Sequence, residues 1–222
     1  GLKTLVSVRC ALTITAAYTG ETLAGLENLT ACESLRIGSA AHPNETLRQL
    51  SLPALKEIKG DLCVYGTALQ TADFKSLQSV AGHFVLQSDA LLQLTADELT
   101  TVAGNMTLIG TTADEAKAPC EQMYFPKLQR IDGTLTLSRF DRLSGLGTTF
   151  GVLTQAGALR YEHLALANTF EFPLIETTGN ITVTGSSAGG RNVMAMLISP
   201  VFEGKFQKAI SYSGGMTVAD ME

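Results

Sequence analysis

Residues 52–64 read "LPALKEIKGDLCV", and residues 125–137 read "FPKLQRIDGTLTL". Both place apolar residues at a first position and at +3 and +6, glycine at +8, and apolar residues at +10 and +12. "FKSLQSVAGHFVL" (74–86) fits the same template, as do Ala96, Leu99, Val102, Gly104, Met106 and Leu108. The chain opens in the same way with Leu2, Leu5, Val8, Leu12 and Ile14, and Cys10 stands in the glycine column. Shortened forms, with one residue fewer before the final pair, run from Leu26 to Ile37, Phe150 to Tyr161 and Phe172 to Val183. The tail fits the long form through Phe206, Ala209, Tyr212, Gly214, Met216 and Val218, which makes about nine turns. From Gly60 onward the glycine-to-glycine steps are 22, 22, 29, 24, 22 and 35 residues.

The final pair alternates with period two, the signature of a short strand with one buried face. Glycine ahead of it permits a tight turn or a close approach of backbones. The three-residue spacing upstream predicts a turn or 3₁₀-like arm that drops Leu or Phe inward. One such unit cannot bury its own apolar face, whereas stacked units share a continuous core. The fold expected is therefore mostly β: a single-chain solenoid with one short parallel strand per turn. Residues 1–180 form the repeat, and 181–222 its last turns or a C-terminal cap.

Composition agrees with a packed chain. Of 222 residues, 45% are hydrophobic and 17% charged, enough for a large core and unlike a disordered segment. The net charge is −5 and no Lys/Arg run occurs, so no nucleic-acid partner is expected. The longest apolar run, Val193 to Ile198, is far too short to span a membrane. No leader pattern follows Gly1. The cysteines (Cys10, Cys32, Cys63, Cys120) lack metal-site spacing, so neither a metal nor a cofactor is expected. Cys10 and Cys32 fall on neighbouring turns, where either a disulfide or free thiols are compatible with the spacing.

"LAGLENLTACESLRI" (23–37), together with the two stretches quoted first, resembles the repeats of receptor L-domains, relatives of the leucine-rich repeat. The resemblance covers roughly residues 2 to 185. It implies a solenoid related to the right-handed β-helix and the leucine-rich repeat, and non-enzymatic binding or adhesion, with a protein or carbohydrate ligand, in a secreted or cell-surface protein. The cysteine-rich module of such receptors has no counterpart here.

If the template pairs face inward, the residues between them face out: Arg36, Asp61, His83, Asn105, Thr107, Thr134, Thr136, Arg160 and Thr182. Such an extended solenoid face is a candidate binding surface, although threonine is also common on plain solvated strands. Asn28, Asn44, Asn105 and Asn180 begin N-x-T sequons, candidates for glycosylation in a secreted eukaryotic protein. The "TADE" phrases at 95–98 and 112–115 have the character of helix N-termini.

A second resemblance lies in "ITVTGSSAGGRNVMAMLISPVFEGKFQKAISYSGG" (181–215), which is similar to the nucleophile region of type-B carboxylesterases. In that family a strand enters G-x-S-x-G and a helix follows. The resemblance implies Ser187 as nucleophile, a helix around Arg191–Ile198 and a strand near Met216–Val218. The triad order of that fold needs an acid and then a histidine after the serine, and no histidine follows Ser187. The residues therefore point to a binding protein, with a carboxylesterase-type hydrolase, or an inactive fragment of one, as the alternative.

Overall fold

A computed structural model of the chain describes residues 2–111, 118–140, 142–143, 149–163, 172–186 and 208–212. The N-terminal strands are β1 (Ser7–Ile14), β2 (Ala31–Ile37), β3 (Gln49–Ser51), β4 (Glu57–Ile58), β5 (Leu62–Tyr65) and β6 (Thr71–Asp73). The middle of the chain forms β7 (Ser79–Val80), β8 (Phe84–Gln87), β9 (Gln93–Thr95), β10 (Thr101–Val102), β11 (Met106–Ile109) and β12 (Gln122–Tyr124). The C-terminal strands are β13 (Arg130–Ser138), β14 (Gln155–Glu162), β15 (Thr177–Thr178), β16 (Ile181–Ser186) and β17 (Lys208–Tyr212). The protein is a parallel β-solenoid with almost no helix among the described residues, as the repeat requires.

The long sheet carries a column in the order β1, β2, β5, β8, β11, β13, β14, β16, β17, every pair parallel. About seven of these rungs, β2 to β16, are packed as full turns. β1 is an edge rung with no fully buried side chain, and β17 extends the other end. In the central turns the final template pair points inward: Leu62 and Val64, Phe84 and Leu86, Met106 and Leu108, and Leu135 and Leu137 are all at most 1% exposed. One core of buried residues runs from Leu23 to Val183.

The three-residue spacing is a hydrogen-bonded turn, repeated along the chain. The N–H of Leu55 donates to the carbonyl of Leu52, Leu77 to Phe74, Leu99 to Ala96, Leu128 to Phe125 and Leu153 to Phe150. Both ends of each turn are buried. The "TADE" phrase at 95–98 belongs to this series rather than to a helix: Thr95 ends β9, and a turn starts at Ala96. The contact that decides is inward burial of Ala96 and Leu99, both fully buried. The phrase at 112–115 lies outside the described residues.

Long and short template forms explain the register. Where a long form meets a short one, one residue is left over and must bulge. The pairing of β13 with β14 shifts between Ile131 and Thr134, and that of β1 with β2 between Val8 and Ala11. Both shifts fall where the sequence loses that residue. The tail departs from its template. β17 pairs Ala209 with Val183 and Ile210 with Thr184, so Lys208–Tyr212 itself forms the next rung. In the long-form reading that stretch is the arm ahead of the glycine. Ile210 and Tyr212 within "KAISY" are residues that favour strands. Met216–Val218 and Arg191–Ile198 lie outside the described residues.

A second sheet completes the wall. β3, β6, β9 and β12 stack in parallel as a short four-stranded sheet. Each places one buried residue, Leu50, Ala72, Leu94 or Met123, between two outward ones. Among the described residues no helix is long and apolar enough to cross a membrane.

Candidate functional site

Two faces of the solenoid are open to partners, and they differ in chemistry. On the long sheet, one outward row runs Thr13, Arg36, Cys63, Val85, Thr107, Thr136, Arg160, Thr182 in register. The binding-face residues expected from sequence that belong to this row, Arg36, Thr107, Thr136, Arg160 and Thr182, are thus brought together on one face. Ion pairs stand at two places along it: Arg36 with Asp61 at 3.2 Å, and Arg160 with Glu162 at 2.5 Å.

The residues that follow the column glycines have a different task. The N–H of Asp61 donates to the Ser34 hydroxyl at 3.1 Å, and that of His83 to a carboxylate oxygen of Asp61 at 3.0 Å. The N–H of Asn105 donates to His83 Nδ1 at 2.9 Å, and that of Thr134 to the Asn105 side-chain oxygen at 2.9 Å. Each side chain is the acceptor for the backbone of the next turn, where the bulge-like bend leaves an N–H outside the sheet ladder. Asp61, His83 and Asn105 therefore hold the stack together as well as facing solvent. With His83 Nδ1 accepting, its ring carries its proton on Nε2.

The sequons separate by burial. Asn44 is fully buried: its amide nitrogen donates to the carbonyls of Thr15 and Tyr18, and its oxygen accepts from the N–H groups of Thr46 and Leu47. A glycan on that nitrogen has no room in the folded protein. Asn28, Asn105 and Asn180 are exposed. The four cysteines are free thiols, with Cys10 exposed and Cys32 buried, so the neighbouring-turn disulfide is not formed. Burial pushes the Cys32 thiol up to about 11 and the Cys120 thiol up to about 12. Both remain neutral packing groups. No cluster of metal-ligating side chains occurs among the described residues.

Two concave sites formed by described residues lie on the other face. A groove of about 310 Å³ over the short sheet is lined by Thr71, Asp73, Lys75, Gln93, Thr95 and Asp97, with Ala72 at its floor the one apolar member. A second, of about 190 Å³, is lined by Thr22, Glu27, Gln49, Ser51 and Pro53 among others. They follow two outward rows: Thr22, Gln49, Thr71, Gln93, Gln122, and Ser51, Asp73, Thr95, Tyr124. Asp73 is held in place, one carboxylate oxygen accepting from the Ser51 hydroxyl at 3.3 Å and the other from the Lys75 N–H at 3.1 Å. The Gln93 amide donates to the Thr95 hydroxyl at 3.2 Å, and the Tyr124 hydroxyl donates to Gln122. Tyr124 is 42% exposed. The repeat template did not reach these residues, but a signal precedes each turn: "QLS", "TAD", "QLT" and "QMY" alternate polar, apolar, polar.

Ser187 lies outside the described residues, as does the rest of G-x-S-x-G after Ser186. The strand that leads to it, β16, is a rung of the long sheet, and β17 lies beside it in parallel. Of the histidines, His83 is engaged in the inter-turn ladder, His42 sits in a turn closed on Ser39, and His163 follows the end of β14 with φ of 55°.

Comparison with known proteins yields partial matches. A stretch of 82 residues, 37% of the chain, is 38% identical to para-nitrobenzyl esterase of Bacillus subtilis (strain 168), covering 15% of that protein. Sixty-five residues, 29% of the chain, are 40% identical to liver carboxylesterase 1 of Oryctolagus cuniculus, covering 11% of it. The chain thus spans less than a sixth of the length of either relative. The longer match exceeds residues 181–222 in length, so it takes in part of the repeat region as well. No family model matches the chain, and no solved structure matches it.

Proposed function

We propose that the protein is a non-enzymatic binding module acting outside the cell or at its surface, as the L-domain resemblance implies, and that its ligand, a protein or a glycan, docks on the short sheet. The observation that carries this reading is the pair of grooves over a sheet whose outward rows are amide, hydroxyl and carboxylate side chains on a rigid frame. Convergent polar groups in a preformed concavity are the ordinary setting of ligand recognition. The test is binding of the labelled protein to intact cells and isolated extracellular matrix. The Gln93→Ala, Gln122→Ala double variant is expected to lose saturable binding, while Thr136→Ala keeps it. Retention by the double variant, or no saturable binding by the native protein, overturns the reading.

A second reading, a carboxylesterase-type hydrolase or an inactive fragment of one, is favoured by the matches to the two esterases. Its nucleophile is Ser187, which needs a positioned base and an oxyanion hole to react. Stoichiometric labelling of Ser187 by a fluorophosphonate, lost in Ser187→Ala, together with turnover of p-nitrophenyl esters, would establish it. The binding reading expects no label and no change in stability for Ser187→Ala.

A further inference from the structure

The lining of the short-sheet grooves narrows the ligand class. Resting on the binding function proposed above, we infer that this face takes a neutral, extended glycan chain lying across the strands, along the solenoid axis. Charge is the first argument. The grooves carry the carboxylates Glu27, Asp73 and Asp97 against the single cation Lys75, in a chain of net charge −5. That balance opposes polyanions such as nucleic acids, sulfated glycans and uronate polymers.

Hydrogen-bonding capacity is the second. Gln49, Thr71, Gln93 and Gln122 stand in one register row, and Ser51, Asp73, Thr95 and Tyr124 in the adjacent one. Amides and hydroxyls both donate and accept, and a carboxylate accepts two bonds at once. This is the complement of a chain whose every unit presents vicinal hydroxyls. Tyr124, exposed at the end of its row, adds an aromatic surface against which the apolar face of a sugar ring can rest. Stacked strands repeat at about 4.8 Å, close to the advance per ring of an extended, equatorially linked hexose polymer. One sugar can therefore meet each rung. A peptide added as a further strand needs a free edge and its unpaired backbone groups, whereas these grooves lie on a sheet face.

The experiment is a calorimetric titration with a length series of neutral β-linked gluco-oligosaccharides, from one to six units, alongside oligogalacturonate of matched length. Affinity is expected to rise with each unit to about four, the number of strands in the short sheet, and then level off. The uronate should bind at least tenfold more weakly. Gln93→Ala should weaken binding about tenfold, the loss of roughly one hydrogen bond, with an unchanged melting temperature. Thr136→Ala on the long sheet should bind as the native protein does. Length-independent affinity, preference for the uronate, or an unaffected Gln93→Ala variant overturns the inference. If the protein binds cells through the short sheet and none of these oligosaccharides binds, the glycan assignment falls while the binding function stands. If neither occurs, both fall.

Discussion

His83 illustrates how one side chain serves two turns. Its ring nitrogen accepts the Asn105 N–H, and its own N–H is taken by Asp61. Replacing it with alanine strands the Asn105 N–H at the bend, and the expected loss is about 1 kcal/mol in urea unfolding. His83→Asn should recover most of that stability, because asparagine performs the same task at position 105. Equal losses for the two variants would show that the acceptor is unimportant. The glycine one residue earlier has a steric role. A Cβ on Gly104 would meet the Gly82 carbonyl carbon and oxygen at 2.7 Å, because consecutive turns cross there with almost no gap. Overpacking of this kind costs about 1–3 kcal/mol, so Gly104→Ala should lower the melting temperature despite its small size. Asn44 is the buried counterpart: five hydrogen bonds end on its amide, and Asn44→Ala should be among the most damaging single changes, at about 3 kcal/mol or more.

Within an element, alternation separates neighbours only one residue apart. Leu135 is fully buried in β13, whereas Thr136 faces out opposite Arg160 of β14. Leu135→Asp places an unpaired carboxylate between stacked turns and is expected to abolish the cooperative fold seen by circular dichroism. Thr136→Asp gains a cationic cross-strand neighbour and should melt close to the native protein. Reversed outcomes would mean that the strand faces are exchanged. The turn elements pack in a linked fashion as well. Phe74, Phe125, Phe150 and Phe172 occupy the first template position, and Ala96 interrupts them. The Phe84 ring spans the interruption, with centroids 6.2 Å from Phe74 and 6.4 Å from Phe125. Phe84→Leu and Ala96→Phe should each destabilise, the first by a cavity and the second by crowding. Their combination should cost less than the sum of the two, since they exchange volume across one contact.

For the whole molecule, the buried thiols report on the integrity of the stack. Cys32 and Cys120 have folded values of about 11 and about 12 against an ordinary value of 9.0, because burial disfavours the thiolate. A value raised in the folded state means stability that is complete below about pH 9 and declines as pH climbs through 11 to 12, since only the unfolded chain ionises in that window. Denaturant unfolding between pH 8 and 11 should show this decline, and Cys32→Ala with Cys120→Ala should flatten it. At pH 8 a thiol reagent should modify exposed Cys10 rapidly, and Cys32 and Cys120 only on unfolding. Rapid modification of all of them in the native protein would contradict the packed stack.

The order of apolar residues determined the period, the hydrogen-bonded turn, the inward pairs and even the bulges, because each follows from local alternation and from counting residues between neighbouring turns. It placed Arg36, Thr107, Thr136, Arg160 and Thr182 on one face for the same reason. Only the tertiary structure decided that Asp61, His83 and Asn105 are bound to the next turn, since their donors lie 22 to 29 residues away in sequence. The short sheet was also written locally, as "QLS" or "QMY", but a three-residue alternation is too brief to stand out from a loop. The grooves above that sheet have no local signature at all. They exist because strands from successive turns stack side by side, and their concavity depends on the path the chain takes between two sheets, which alternation along one strand does not encode.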